Sequence, residues 1–112
     1  MRSKWLLSAF AVALILPTPW AAQAFECPKH FDAAEDAIDA ASDAMIGLKT
    51  DLHMIRGHML LDDAKMLLGS AEHNHAKPQN EFDHARAIGK AEAAKGYAVA
   101  ALIYYKKFGT KQ

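Results

Sequence analysis

The stretch CPKHFDAAEDAIDAASDAMIGLKTDLHMIRGHM, residues 27–59, decides the fold class. Apolar side chains fall at Phe31, Ala34, Ile38, Ala41, Met45, Leu48, Leu52, Ile55 and Met59, at intervals that alternate between three and four. Such spacing gathers the apolar positions on one face of a helix, whereas a half-buried strand repeats every second residue. The acids Asp32, Asp36, Asp39 and Asp43 run along a neighbouring stripe, the polar margin of an amphipathic helix. Strand signals are missing along the chain: there is no alternating β-branched run, and valine is rare.

A second pattern covers Leu60, Leu61, Ala64, Leu67, Leu68 and Ala71, shifted by one position from the first. A change of phase implies a break. Gly47 with Lys49-Thr50-Asp51 is one place for it, Thr50 or Asp51 serving as the cap, and Gly57 is another. The first choice predicts helices over 29–48, 51–75 and 80–108. Its rival is one helix through residue 73, because the first seam crosses residues 47–51 without interruption. Asn74-His75-Ala76-Lys77-Pro78-Gln79-Asn80 reads as a loop, with Asn80 as N-cap and Glu81 and Asp83 suited to the positive end of the helix that follows. That last helix carries Ala85, Gly89, Ala93, Gly96 and Ala100, small residues expected to let a neighbour approach closely. The fold class is all-α: a small antiparallel helical bundle of three helices, or a long two-helix hairpin.

Upstream, MRSK is followed by the uncharged run Trp5–Leu16, by Pro17 and Pro19, and by Ala22-Gln23-Ala24. A basic start, a short apolar run and an A-x-A end are the parts of a secretory signal peptide. The run is 12 residues long, against the roughly 20 a membrane-spanning helix needs. Residues 1–24 are therefore expected to be a cleaved signal peptide and 25–112 a single helical domain, periplasmic or secreted, with no membrane association after cleavage. A retained anchor is the alternative. Cys27 follows Phe25-Glu26, not the small residue that precedes a lipidated cysteine.

From residue 25 onward, 11 basic side chains stand against 13 acidic ones, which gives no nucleic-acid signature. The charges are unevenly placed. Lys29 stands alone among Asp32, Glu35, Asp36, Asp39 and Asp43, and Glu92 alone among Arg86, Lys90, Lys95, Lys106, Lys107 and Lys111. Attraction between the first and last helices, or between two copies of the chain, would use that asymmetry; two solvated faces would not. A domain this small is only just able to stabilise itself without a disulfide, a metal or a partner. The single cysteine rules out an internal disulfide, and Cys27 near the start of the mature chain leaves a bridged homodimer or a free thiol.

No constellation supports nucleophilic catalysis, phosphate binding or attachment of a c-type haem. What remains is a supply of metal ligands. Met54, His58, Asp62 and Met66 follow one another four apart, with His73 farther along the same helix. Residues at that interval share a face, and imidazole with thioether suits copper, imidazole with carboxylate zinc or nickel. Methionine as core filler and a surface His58–Asp62 pair is the plainer account. The hairpin tip offers a second set. His73 and His75 end one helix and Glu81 and His84, three apart, open the next, so a turn near Pro78 sets 73 and 84 roughly opposite each other. Three imidazoles and a carboxylate can hold one divalent ion, although histidine at a helix C-terminus is favourable without metal.

The segment HNHAKPQNEFDHARAIGKAEAA, His73 to Ala94, resembles the small histidine-rich periplasmic metal-binding proteins, whose helices repeat His-Ala-x-x-Ala, matched here by His84-Ala85-Arg86-Ala87-Ile88. The resemblance implies a helical bundle that binds copper, nickel or zinc in the periplasm, with His73, His75 and His84 as the matching positions. Those proteins are far richer in histidine and repeat it in a regular heptad, which this chain lacks. The expected function is that of a non-enzymatic metal buffer or carrier; a helical adaptor that docks on a periplasmic partner, its histidines incidental, is the alternative.

Overall fold

The computed structural model describes residues 26–77 and 79–112, and within them three helices, α1 (Cys27–Met45), α2 (Leu52–Ala76) and α3 (Glu81–Phe108). They pack on one another up, down and up as a small all-α bundle. The signal-peptide reading of residues 1–24 lies outside the described residues. No helix among those described is long and apolar enough to cross a membrane.

The break at residues 46–51 is real, and its chemistry is local. Ile46 leaves the helix in extended conformation, and Gly47 follows with φ of +85°, a region glycine enters without the Cβ clash other residues suffer. Leu48 then turns inward and pairs with Lys111 in an isolated antiparallel bridge. Lys49 N–H donates to the Thr110 carbonyl at 2.7 Å, and Gln112 N–H to the Gly47 carbonyl at 3.0 Å. The chain end after α3 thus ties down the α1–α2 turn. Asp51 caps α2, accepting the Met54 N–H at 3.0 Å. That bond, ahead of smaller contributions from His53 and Thr110, holds the Asp51 carboxyl below its usual range. Asn80 does the same for α3, accepting the Phe82 N–H at 2.9 Å. Glu81 and Asp83 in the first turn and Lys106 and Lys107 in the last match the helix dipole of α3.

The core draws Phe31, Ala34, Ile38 and Ala41 from α1, Leu61, Ala64, Leu68 and Ala71 from α2, and Ala87, Ala91, Ala94, Ala98, Ala101 and Tyr105 from α3. A face of five alanines lets α3 lie close to both neighbours. Two expectations from the sequence need correcting. Leu52, Ile55 and Met59 do not continue the α1 seam, because the turn resets the helix phase; all three are more than half exposed. The small residues Ala85, Gly89, Ala93, Gly96 and Ala100 are exposed too, and a Cβ built at Gly89 or Gly96 meets nothing within 4 Å. The glycine used for close approach is Gly57, which faces the Tyr105 ring.

The charge asymmetry is mostly solvated. Among the described residues one ion pair joins α1 to α3, His30 Nδ1 to Glu92 Oε2 at 2.8 Å. Among the described residues no acid of the Asp32–Asp43 stripe lies within 4 Å of a lysine or arginine.

Candidate metal centre

In an up-down-up bundle the start of α1, the end of α2 and the start of α3 meet at one end of the molecule. Cys27 is the first residue of α1, His75 the last but one of α2, and His84 stands in the first turn of α3. One ligand atom from each lies within 4.8 Å of the other two. The Cys27 Sγ is 3.9 Å from His84 Nδ1, and the thiol also lies 3.8 Å from the His84 carbonyl, to which it can donate.

Packing fixes these side chains. Cys27 is fully buried, because Glu26 and Pro28 start the helix on the spot. The Glu26 carbonyl accepts the N–H groups of Lys29 and His30, which locks that first turn. The His75 ring stands edge-on between Phe31, with centroids 5.4 Å apart, and His84, at 5.5 Å. Among the described residues His75 Nδ1 is buried with no hydrogen-bond partner, a state that costs free energy unless something meets the nitrogen. Burial pushes the Cys27 thiol above its usual range. The protonated thiol is thus the stable form until a cation replaces the proton. A thiolate and two imidazoles suit soft or borderline ions such as copper and zinc.

Of the residues marked out from the sequence, His75 and His84 are brought together. His73 and Glu81, at the same hairpin tip, are exposed and not in the group. On α2, His58 Nε2 lies 3.5 Å from Asp62 Oδ1, and both side chains are about half exposed. His58 Nδ1, by contrast, is buried without a partner. Met54 packs against the core, while Met66 is 73% exposed beside Leu67 and Tyr97. Twelve residues of helix put about 18 Å between those two methionines, so they cannot share an ion. The member of the group that sequence reasoning overlooks is Cys27. Helix order carries the missing signal: three antiparallel helices return the beginning of the first to the turn between the second and third.

Compared with protein-family models, with curated proteins and with solved structures, the chain has no match.

Proposed function

We propose that the chain is an exported, non-enzymatic metal-binding protein of the periplasm, a buffer or carrier for copper, nickel or zinc. One observation carries the reading: donor atoms of Cys27, His75 and His84, from three separate helices, lie within 4.8 Å of one another. A thiol and two imidazoles converging on one point are a donor set suited to holding an ion. Placement in the periplasm follows from the export signal read in residues 1–24 and from the resemblance of residues 73–94 to histidine-rich periplasmic proteins.

Calorimetric titration of the reduced protein with Zn(II), Ni(II) and Cu(II) tests this. We expect one ion per chain at micromolar or tighter affinity, weakened by Cys27→Ser, His75→Ala or His84→Ala and unchanged by His73→Ala. No binding of any of the three ions, nor of Cu(I) without oxygen, would sink the proposal.

An adaptor is the second reading, favoured by one feature. Leu52, Ile55, Met59 and Met66 form an exposed apolar stripe on α2, on the side away from Leu61, Ala64 and Leu68. Isolated surface apolar residues are ordinary, whereas a row of them on one helix face is the form that helix-docking surfaces take. An ion-free chain that captures a periplasmic protein through this stripe would favour the adaptor.

A further inference from the structure

The donor set at the bundle end narrows the choice of ion. Sulfur comes from Cys27, nitrogen from His75 and His84, and among the described residues no carboxylate joins the group. The nearby acids are otherwise placed. Asp83 accepts the Gln79 N–H through Oδ2 at 2.6 Å, and its Oδ1 lies 3.8 Å from Arg86. Glu81 is exposed. A structural zinc site closes with four protein ligands, and nickel favours square-planar or octahedral arrangements. Three donors, one of them a thiolate sulfur, complete a trigonal shell around monovalent copper, whereas zinc held by the same three would keep water in a fourth position and nickel would lack more.

One separation bears on the site. With metal–sulfur and metal–nitrogen bonds of about 2.3 and 2.05 Å, sulfur and nitrogen sit about 3.6 Å apart at a tetrahedral angle and about 3.8 Å apart at a trigonal one. The Cys27 Sγ to His84 Nδ1 distance is 3.9 Å, within a few tenths of an ångström of both, so the two atoms can share one ion with little movement. His75 brings a ring whose Nδ1 has no other partner.

Building on the metal-binding reading above, we propose that the ion is monovalent copper, held three-coordinate by the Cys27 thiolate and the imidazoles of His75 and His84, and that it fastens the start of α1 to the α2–α3 turn. Binding is an exchange and not a redox step. The S–H bond of Cys27 breaks, a sulfur–copper bond forms, one proton leaves to solvent, and copper stays monovalent throughout. Because each donor belongs to a different helix, the bound ion crosslinks all three.

The test is an anaerobic titration of the reduced full chain with Cu(I), in competition with a chromophoric Cu(I) chelator, beside a parallel Zn(II) competition. We expect one Cu(I) per chain, bound about 100-fold or more tightly than Zn(II). X-ray absorption of the loaded protein should count one sulfur and two nitrogen neighbours. Cys27→Ser should abolish the thiolate-to-copper charge-transfer band while keeping the helical circular dichroism, and His75→Ala with His84→Ala should weaken Cu(I) by about 100-fold or more. Zn(II) binding as tight as Cu(I), or four ligands around copper, overturns the assignment to Cu(I) while the metal-binding reading stands. Cu(I) affinity unchanged in a folded Cys27→Ser protein overturns this site. Failure to bind any ion overturns both.

Discussion

The Tyr105 ring of α3 fills the space that a side chain at Gly57 of α2 would need: a Cβ built there lies 2.7 Å from Tyr105 Cδ1. Tyr105 is among the largest fully buried side chains of the bundle, and its hydroxyl has no partner among the described residues. Burial, with the Asp62 charge adding to it, keeps that hydroxyl protonated by raising its pKa. The ring meets α2 only because residue 57 has no side chain.

Gly57→Ala should therefore destabilise the protein. Alanine gains about 1 kcal/mol of helix propensity over glycine, but displacing a packed ring costs about 1–3 kcal/mol. Gly96→Ala is the control. Its Cβ meets nothing within 4 Å, so the same exchange should stabilise by up to about 1 kcal/mol. Urea unfolding of the two variants should move the midpoint in opposite directions. Equal shifts would mean that the Gly57–Tyr105 contact has no energetic consequence.

Stability should also carry an acid limb from Glu92. The hydrogen bond to His30 is the main reason its carboxyl sits below the usual value of 4.5, with the His30 and Lys95 charges assisting and desolvation opposing. The folded pKa lies below the unfolded one, so the contribution is fully present above the ordinary carboxylate range and is lost as pH falls through the folded value. Glu92 is 49% exposed in its side chain, and solvent screening keeps such a pair to about 0.5 kcal/mol. Glu92→Gln should lose that amount near neutral pH and nothing in strong acid. A difference that persists unchanged in acid would contradict the assignment.

Asn80→Ala should cost about 1 kcal/mol, since the Phe82 N–H loses its acceptor at the start of α3. Asn80→Asp, which keeps the oxygen and favours the helix dipole, should restore most of it. Thermal unfolding of the three proteins checks the order. An alanine variant as stable as the parent would show that the cap contributes nothing.

Removing metal should loosen the bundle. With free ion at 100 times its dissociation constant, binding adds about 2.7 kcal/mol to unfolding, and a chelator should return the melting temperature to that of the ion-free chain. Cys27→Ser should show little or no ion-dependent shift. An equal shift in the serine variant would place the stabilising ion elsewhere.

Much of this was legible in the residues themselves. Periodicity, the Gly47 break and the Asp51 and Asn80 caps are written locally, and the helices begin and end within a few residues of where those signals put them, although α2 runs through Asn74 to Ala76, which the sequence assigns to the loop. Cap bonds and left-handed glycine turns involve neighbours in sequence, so sequence suffices to read them. The histidines at the hairpin tip were legible for the same reason.

Which faces pack, and which third residue joins those histidines, depended on the tertiary structure. Apolar or small residues occur around most of α2 and α3, so periodicity leaves more than one burial choice. The turn at 46–51 resets the phase, turning Leu52, Ile55 and Met59 outward and Gly57, Leu61 and Ala64 inward. Cys27 is 57 residues from His84 in sequence. Only the return of α1 alongside α3 brings its sulfur to the two imidazoles, and that contact is a property of three packed helices, not of any one segment.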